Sequence, residues 1–257
     1  MAFSAVLLFS VVSIAIPIPS AEAGKSNTIT ISGGHTCSLI GGNWNRKASQ
    51  CVITSTQTIA KNIAIPSGVT LYFYPTASVT FSAIVTVQSG GFIFNNQGSV
   101  FTTDTSRIDN HGTITNNHGN IYTYYLDNYS GGEISNSGGM TNSFAVNNYA
   151  IINNYGSFSN DVGGTVELFS GSTFTNAATK TITNSAVFVI DQGAVLDNYG
   201  TIKNGEIANN VAATLTNNGL IANSGTINNV DGAQINGIGS INPKGTITGA
   251  GSCNQCA

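Results

Sequence analysis

Apolar and polar positions alternate along most of this chain, and from Ile134 the alternation settles into a fixed unit. An apolar residue, any residue and then asparagine recur every six positions: Ile134/Asn136, Met140/Asn142, Val146/Asn148, Ile152/Asn154 and Phe158/Asn160. The same unit stands at Ile108/Asn110, Ile114/Asn116, Leu126/Asn128, Phe174/Asn176, Ile182/Asn184 and Leu196/Asn198. It continues at Ile202/Asn204, Leu215/Asn217, Ile221/Asn223 and Ile227/Asn229, with an early copy at Phe94/Asn96. Glycine often follows two residues after the asparagine, as at Gly112, Gly138, Gly156, Gly200, Gly219 and Gly225. Residues i, i+2 and i+4 share one face of a strand, so all three point into a coil or its corner. The apolar residue fills the core. Asparagine suits a corner and can ladder with its neighbours in stacked turns, and glycine is expected to supply a positive φ at the bend. Six residues are too few for a helix plus a strand.

A longer period lies over the hexads. Asn198, Asn217 and Asn236 are 19 apart, as are Asn204, Asn223 and Asn242, and the pair Asn210 and Asn229. Earlier the spacing is 18: Asn136 aligns with Asn154, and Asn142 with Asn160. Three short sides per turn make a triangular coil. The expected fold is all-β, a single-stranded parallel β-helix of about ten turns of 18–19 residues, forming a rod of roughly 50 Å at the strand spacing. Its asparagine ladder takes in Asn136, Asn142, Asn148, Asn154, Asn160, Asn198, Asn204, Asn217, Asn223 and Asn236. General crossover handedness favours a right-handed coil, with the left-handed hexapeptide form as the alternative.

The ends differ from the body. Ala2 to Ile18 is apolar apart from serines, contains Pro17, and is followed by Ala21-Glu22-Ala23, a small-x-small cleavage site. Residues 1–23 therefore read as a signal peptide rather than a span of roughly 20 residues, and no transmembrane segment is expected in the mature chain. Residues 24–51, with Gly41-Gly42 and Trp44, read as an N-terminal cap, 52–247 as the β-helix, and 248–257 as a cysteine-containing tail. Four cysteines allow three pairings. An elongated body prevents the two ends from cross-linking, which favours Cys37 with Cys51 and Cys253 with Cys256. The C-x-x-C spacing also suits a redox pair or half a zinc site, but no helix context or further ligands accompany it.

Composition narrows the function. Charged residues make up 7% of 257, against roughly 25% in average domains, while there are 32 asparagines and 30 glycines. With 8 basic residues and a net charge of −3, the chain cannot build a phosphate-neutralising surface, so no nucleic-acid partner is expected. Ile108-Asp109-Asn110-His111-Gly112 and Leu196-Asp197-Asn198-Tyr199-Gly200, in steps summing to 19, resemble the filamentous-haemagglutinin type of secreted parallel β-helix. That resemblance covers about three-quarters of the chain and implies a right-handed β-helix on an exported surface protein, often an adhesin.

Candidate chemistry is sparse. Asp109 and Asp127 are 18 apart and could stack in adjacent turns, whereas Glu133, Asp161, Glu167 and Asp191 share no evident register. His111 and His118, each followed by glycine, read as outward turn positions like Tyr129, Tyr149, Tyr155 and Tyr199. We assign no catalytic residue, no metal and no cofactor. The better lead is Tyr122, Tyr124, Tyr125 and Tyr129, with Tyr149 and Tyr155 expected near them, as a surface for sugar rings or a partner. Asn128-Tyr129-Ser130 is the one glycosylation sequon, and Thr113/Thr115, Thr181/Thr183 and Thr246/Thr248 are the threonine pairs an ice-binding array would need to align. The expected function is a non-enzymatic extracellular solenoid for surface adhesion or filament formation, with self-association or a cell-surface carbohydrate as partner. The alternative is a pectate-lyase-like carbohydrate-active enzyme.

Overall fold

A computed structural model describes residues 28–103, 105–242 and 246–256. The proposed signal peptide, and the cap before Thr28, lie outside the described residues.

The chain winds as a β-solenoid with three faces. In the first coil the faces are Gln50–Ile53, Gln57–Ile59 and Ile63–Ile65; in the second they are Thr70–Phe73, Ser78–Phe81 and Val85–Val87, paired in parallel with the first. We call these faces 1, 2 and 3. Ten coils stack this way, down to Gln234–Asn236, Ser240–Asn242 and Thr246–Thr248. In several coils faces 2 and 3 run on as one bent strand, such as Gly139–Asn148 or Leu220–Asn229, and register shifts absorb the corner.

Alternation along each strand explains the interior. On face 1, Ile114, Ile134, Ile152, Phe174, Leu196, Leu215 and Ile235 stack in register, none more than 2% exposed. Burying each such side chain contributes about 1.5–3 kcal/mol relative to leaving it exposed.

Two residues further along each strand, buried asparagines form three ladders. The face 1 ladder runs Asn95, Asn116, Asn136, Asn154, Asn176, Asn198, Asn217, each Nδ2 donating to the next Oδ1 at 2.7–2.9 Å. Face 2 carries Asn142, Asn160, Asn184, Asn204 and Asn223. Face 3 carries Asn110, Asn128 and Asn148, then Leu168 and Ile190 in the same register, then Asn209 and Asn229. The remaining amide hydrogen goes to a backbone carbonyl near the following corner, as Asn136 does to Ser157. Every ladder points the same way along the rod. The apolar gap has a visible cost: Asn209 restarts the face 3 ladder with an Oδ1 that meets no donor.

Several expected registers need correction. The coil is not uniformly 18–19 residues, because laddered asparagines lie 18 to 24 apart. Strands keep their length, and the extra residues sit in solvent-facing turns such as the one containing Gly163 at φ 88°. Asn95 rather than Asn96 enters the ladder, since Ile93 points in and Phe94 stacks outside on Tyr72. Asn209 replaces Asn210 for the same parity reason. Asn236 is also outside the ladder. It pairs with Thr216 in the outward register and donates to Gln234, because the tenth coil arrives one residue late. Asn242 pairs with Ala222, equally out of step with Asn223.

Glycine's role also differs from expectation. Gly112, Gly138, Gly156, Gly200, Gly219 and Gly225 do not adopt positive φ; a Cβ at any of them would land against a carbonyl oxygen of the preceding coil. Close stacking of corners demands glycine there.

Each end is partly covered. At the N-terminal end, Ile29–Thr30 pairs with face 3 and Asn43–Asn45 runs antiparallel to face 1. A short helix, Gly34–Ser38, carries Cys37, which is bonded to Cys51 with both side chains fully buried. At the other end Cys253 is bonded to Cys256, and Ser252–Cys253 pairs with Gln234–Ile235 on face 1. The loop they close places Gln255 Oε1 2.9 Å from Asn217 Nδ2, in the slot Asn236 vacates. Gln255 also donates to the Asn217 and Asn236 carbonyls.

Candidate functional site

The inward residues are consumed by the core and the ladders, so chemistry must come from outward positions. Face 3 concentrates it. Asp109, Asp127, Asn147 and Glu167 occupy one outward column in successive coils. Arg107 and Tyr125 lie beside the first two. The corner position after face 3 carries His111, Tyr129, Tyr149 and Phe169, then Asp191 and Asn210, each backbone N–H bonded to the coil before. Stacked coils about 4.8 Å apart make each column a continuous strip.

The sequence expectation for Asp109 and Asp127 is met in position, and their partners define what they can do. Arg107 grips Asp109 with Nε at 2.7 Å and Nη2 at 3.0 Å, and its Nε lies 3.8 Å from Asp127. Asn147 donates to Asp127 at 2.8 Å and to the Tyr125 hydroxyl at 3.0 Å, while the Tyr129 hydroxyl donates to Asp127 at 3.2 Å. Burial nonetheless holds Asp127 above the usual carboxylate range, and burial with the two neighbouring carboxylates pushes Tyr129 up to about 12. The two acids are 9% and 5% exposed. Both carboxylates of this pair are thus largely covered and engaged by Arg107 and its neighbours. Among the described residues, no three His, Cys, Asp or Glu gather in a way that could hold a metal ion.

A second acid pair was not legible in the sequence. Burial and the Asp191 charge push Glu167 up to about 7, and Asn210 Nδ2 bonds Asp191 Oδ1 at 2.8 Å. These acids are 24 residues apart in neighbouring coils; only the coil lengths, which vary with the turns, would have revealed their meeting.

The four lead tyrosines wrap a corner rather than form one patch. Tyr122 projects from face 2 and is 44% exposed. Tyr124, at the corner between faces 2 and 3, stacks on Phe144 with centroids 4.7 Å apart, and Tyr125 leans on the same ring. Tyr129 lies between His111 at 4.4 Å and Tyr149 at 5.9 Å, both nearly parallel to it. Tyr149 thus joins the strip as expected. Tyr155 does not, because it follows Asn154 at the corner after face 1.

Three further expectations are altered by geometry. His111 is in the tyrosine position, but His118 is one residue past it, with Asn117 in that position. Asn128 of the sequon is fully buried, its Nδ2 donating to Asn148 Oδ1 and the Ile151 carbonyl, so no glycan can be attached to the folded chain there. The threonine pairs fall on faces 1, 2 and 3 respectively and form no array.

No protein-family model matches this chain, and no curated protein matches it. Among solved structures, the crystal structure of a TibC-catalysed, hyper-glycosylated fragment of TibA aligns with 79% of this chain and 83% of its own. Identity there is 18% and the TM-score 0.34.

Proposed function

We propose that this chain is a non-enzymatic, secreted β-solenoid that displays a rigid binding surface outside the cell. The observation that carries this reading is the shape of the coil. Among the described residues short corners join the strands, so no long loop rises to wall a catalytic cleft, and the acid pair held by Arg107 is covered. The Ile-x-Asn-x-Gly steps that resemble filamentous haemagglutinin are the residues the ladders and close corners use, which supports an exported surface role. Two disulfides favour an oxidising compartment. No helix among the described residues is long and apolar enough to cross a membrane.

Between adhesion and filament formation we favour adhesion, because one end is largely closed to stacking. End-to-end stacking needs open strand edges. Here Ile29–Thr30 and Asn43–Asn45 cover two faces at one end, while at the other Ser252–Cys253 with Gln255 covers face 1 and, among the described residues, no strand lies over Ser240–Asn242 or Thr246–Thr248.

The enzyme alternative has one specific point in its favour, the raised Glu167 beside Asp191, and the two readings separate cleanly. Purified protein incubated with pectate, cellulose and chitin is expected to release no new reducing ends. Release from any of them overturns the non-enzymatic reading. Export is tested by N-terminal sequencing of protein recovered from the medium, expected to begin at Gly24 if residues 1–23 are a signal peptide and 24–51 the mature cap.

A further inference from the structure

The aromatic strip on face 3 ends abruptly, and a groove begins where it ends. Tyr149 and Phe169 stack with centroids 4.1 Å apart and planes 13° from parallel, so the preceding coil covers one face of Phe169. The next coil puts Asp191, not a ring, at that corner. The other side of Phe169 therefore borders a groove of about 590 Å³, lined also by Asp191, Gln192, Asn210, Val211 and Asn228.

We propose that this groove is a carbohydrate-binding site for neutral or amino-bearing sugar units, with a sugar ring laid against the open face of Phe169. The assignment deepens the surface-display reading on which it rests, by naming the ligand class and moving the site away from the tyrosine cluster. A pyranose offers C–H bonds on one face and hydroxyls around its rim. An aromatic ring takes the first, and carboxylates and primary amides, which accept and donate, take the second. The groove supplies both from adjacent coils, and the Asn210–Asp191 bond fixes the orientation of the carboxylate. The groove is shallow and largely open to solvent, which suits a sugar bound by one face and its rim hydroxyls rather than an enclosed ligand.

Two observations narrow the ligand. Among the described residues no Lys or Arg lines the groove, and the Asp191 carboxylate stands in it, so uronic, sulfated or other anionic sugars meet repulsion. The Tyr124 and Tyr129 rings are less suited to the role, because Phe144, His111 and Tyr149 stack on them.

The test uses the full chain with short oligosaccharides derived from cellulose, chitin, chitosan and pectate, followed by saturation-transfer NMR and titration calorimetry. Binding by at least one of the first three and none by the pectate fragments is expected. Phe169→Ala and Asp191→Ala are each expected to weaken that binding about tenfold or more, with Tyr122→Ala unchanged. Phe169→Leu, which keeps an apolar side chain in the strip, serves as the folding control and is also expected to lose affinity. Absence of binding by all probes, a preference for pectate fragments, or affinity insensitive to Phe169→Ala and Asp191→Ala would overturn the assignment. Cleavage of a bound oligosaccharide would instead sink the non-enzymatic reading while leaving the groove in place.

Discussion

Truncating one asparagine in the middle of a ladder should cost far more than truncating the residue that ends it. Asn176 accepts from Asn154 Nδ2 at 2.9 Å and donates to Asn198 Oδ1 at 2.8 Å, to the Thr201 carbonyl at 3.2 Å and to the Lys180 carbonyl at 3.3 Å. Asn176→Ala removes all four contacts. It also leaves the Asn154 amide hydrogen and the Asn198 oxygen without their ladder partner, at sites with no solvent exposure. Each stranded buried group costs about 1–3 kcal/mol, so two of them with the small void left behind come to about 4 kcal/mol. Gln255 caps the same ladder through one bond to Asn217 Nδ2 and two to backbone carbonyls, but it is only half-buried and water can replace it. Gln255→Ala should therefore cost about 1 kcal/mol. Urea unfolding followed by circular dichroism gives the two midpoints. Because stacked repeats can unfold in parts, amide hydrogen exchange should show the Asn176 loss confined to the coils beside it. If Asn176→Ala falls within 1 kcal/mol of the native chain, or matches Gln255→Ala, strand pairing and apolar packing alone hold the coil together.

Other perturbations probe other layers. Gly219→Ala drives a Cβ into the Gly200 carbonyl oxygen and should cost about 2–3 kcal/mol, whereas Gly163→Ala, at φ 88° with open space around it, should cost about 1 kcal/mol; thermal midpoints in the reverse order would refute the close-stacking account. Glu167 binds its proton to about pH 7 when folded and to about 4.5 otherwise, so stability should fall as pH rises between those values and level off above. At a half-buried site the drop is on the order of 1 kcal/mol, and Glu167→Gln should flatten the stability–pH profile. Replacing Cys37 and Cys51 with serine opens a link between residues 14 apart and should cost about 3 kcal/mol, with faster exchange in the cap and first coil but not beyond the middle of the rod.

How far the sequence could be read depends on which side of the strand a residue occupies. Inward positions obey a strict period of two under strong burial, so Ile134/Asn136 or Leu196/Asn198 announces its own role. The failures occur at asparagine doublets and at Asn236 and Asn242, where the last coil is longer by one residue than the spacing predicts. Asn95-Asn96 and Asn209-Asn210 each supply one ladder member and one outward neighbour, and spacing cannot say which. Parity is settled by the neighbours: Ile93 packs inside, and Phe94 reaches Tyr72 outside. Outward sites were barely legible, because lateral neighbours depend on coil length. Coil length is set in turns where solvent imposes little constraint. Asp109 and Asp127 meet because 18 residues separate them, as in the shortest coils; Glu167 and Asp191 meet across 24, which no local pattern marks. Gln255 was hidden for a related reason, since it fills the slot opposite Asn217 from 38 residues away.

The low charge of the chain has its cause in the same stacking. In a solenoid any outward residue faces the equivalent residue of the next coil at about 4.8 Å, so repeated charges of one sign repel along the whole column. Face 3 is where the chain places acids in adjacent coils nonetheless. At Asp109 and Asp127 the repulsion is offset by Arg107 and by hydrogen bonds from Asn147 and Tyr129. At Glu167 and Asp191 no basic residue among the described residues lines the adjoining groove, and Glu167 instead keeps its proton to about pH 7. Sequences that follow a local rule everywhere else tend to break it where function demands. The break here coincides with the end of the aromatic strip, with a change of corner residue from ring to carboxylate, and with the groove beside Phe169. The ring column that stacks through Tyr129, Tyr149 and Phe169 is not continued at position 191, where the chain instead puts a carboxylate held by Asn210 beside the groove.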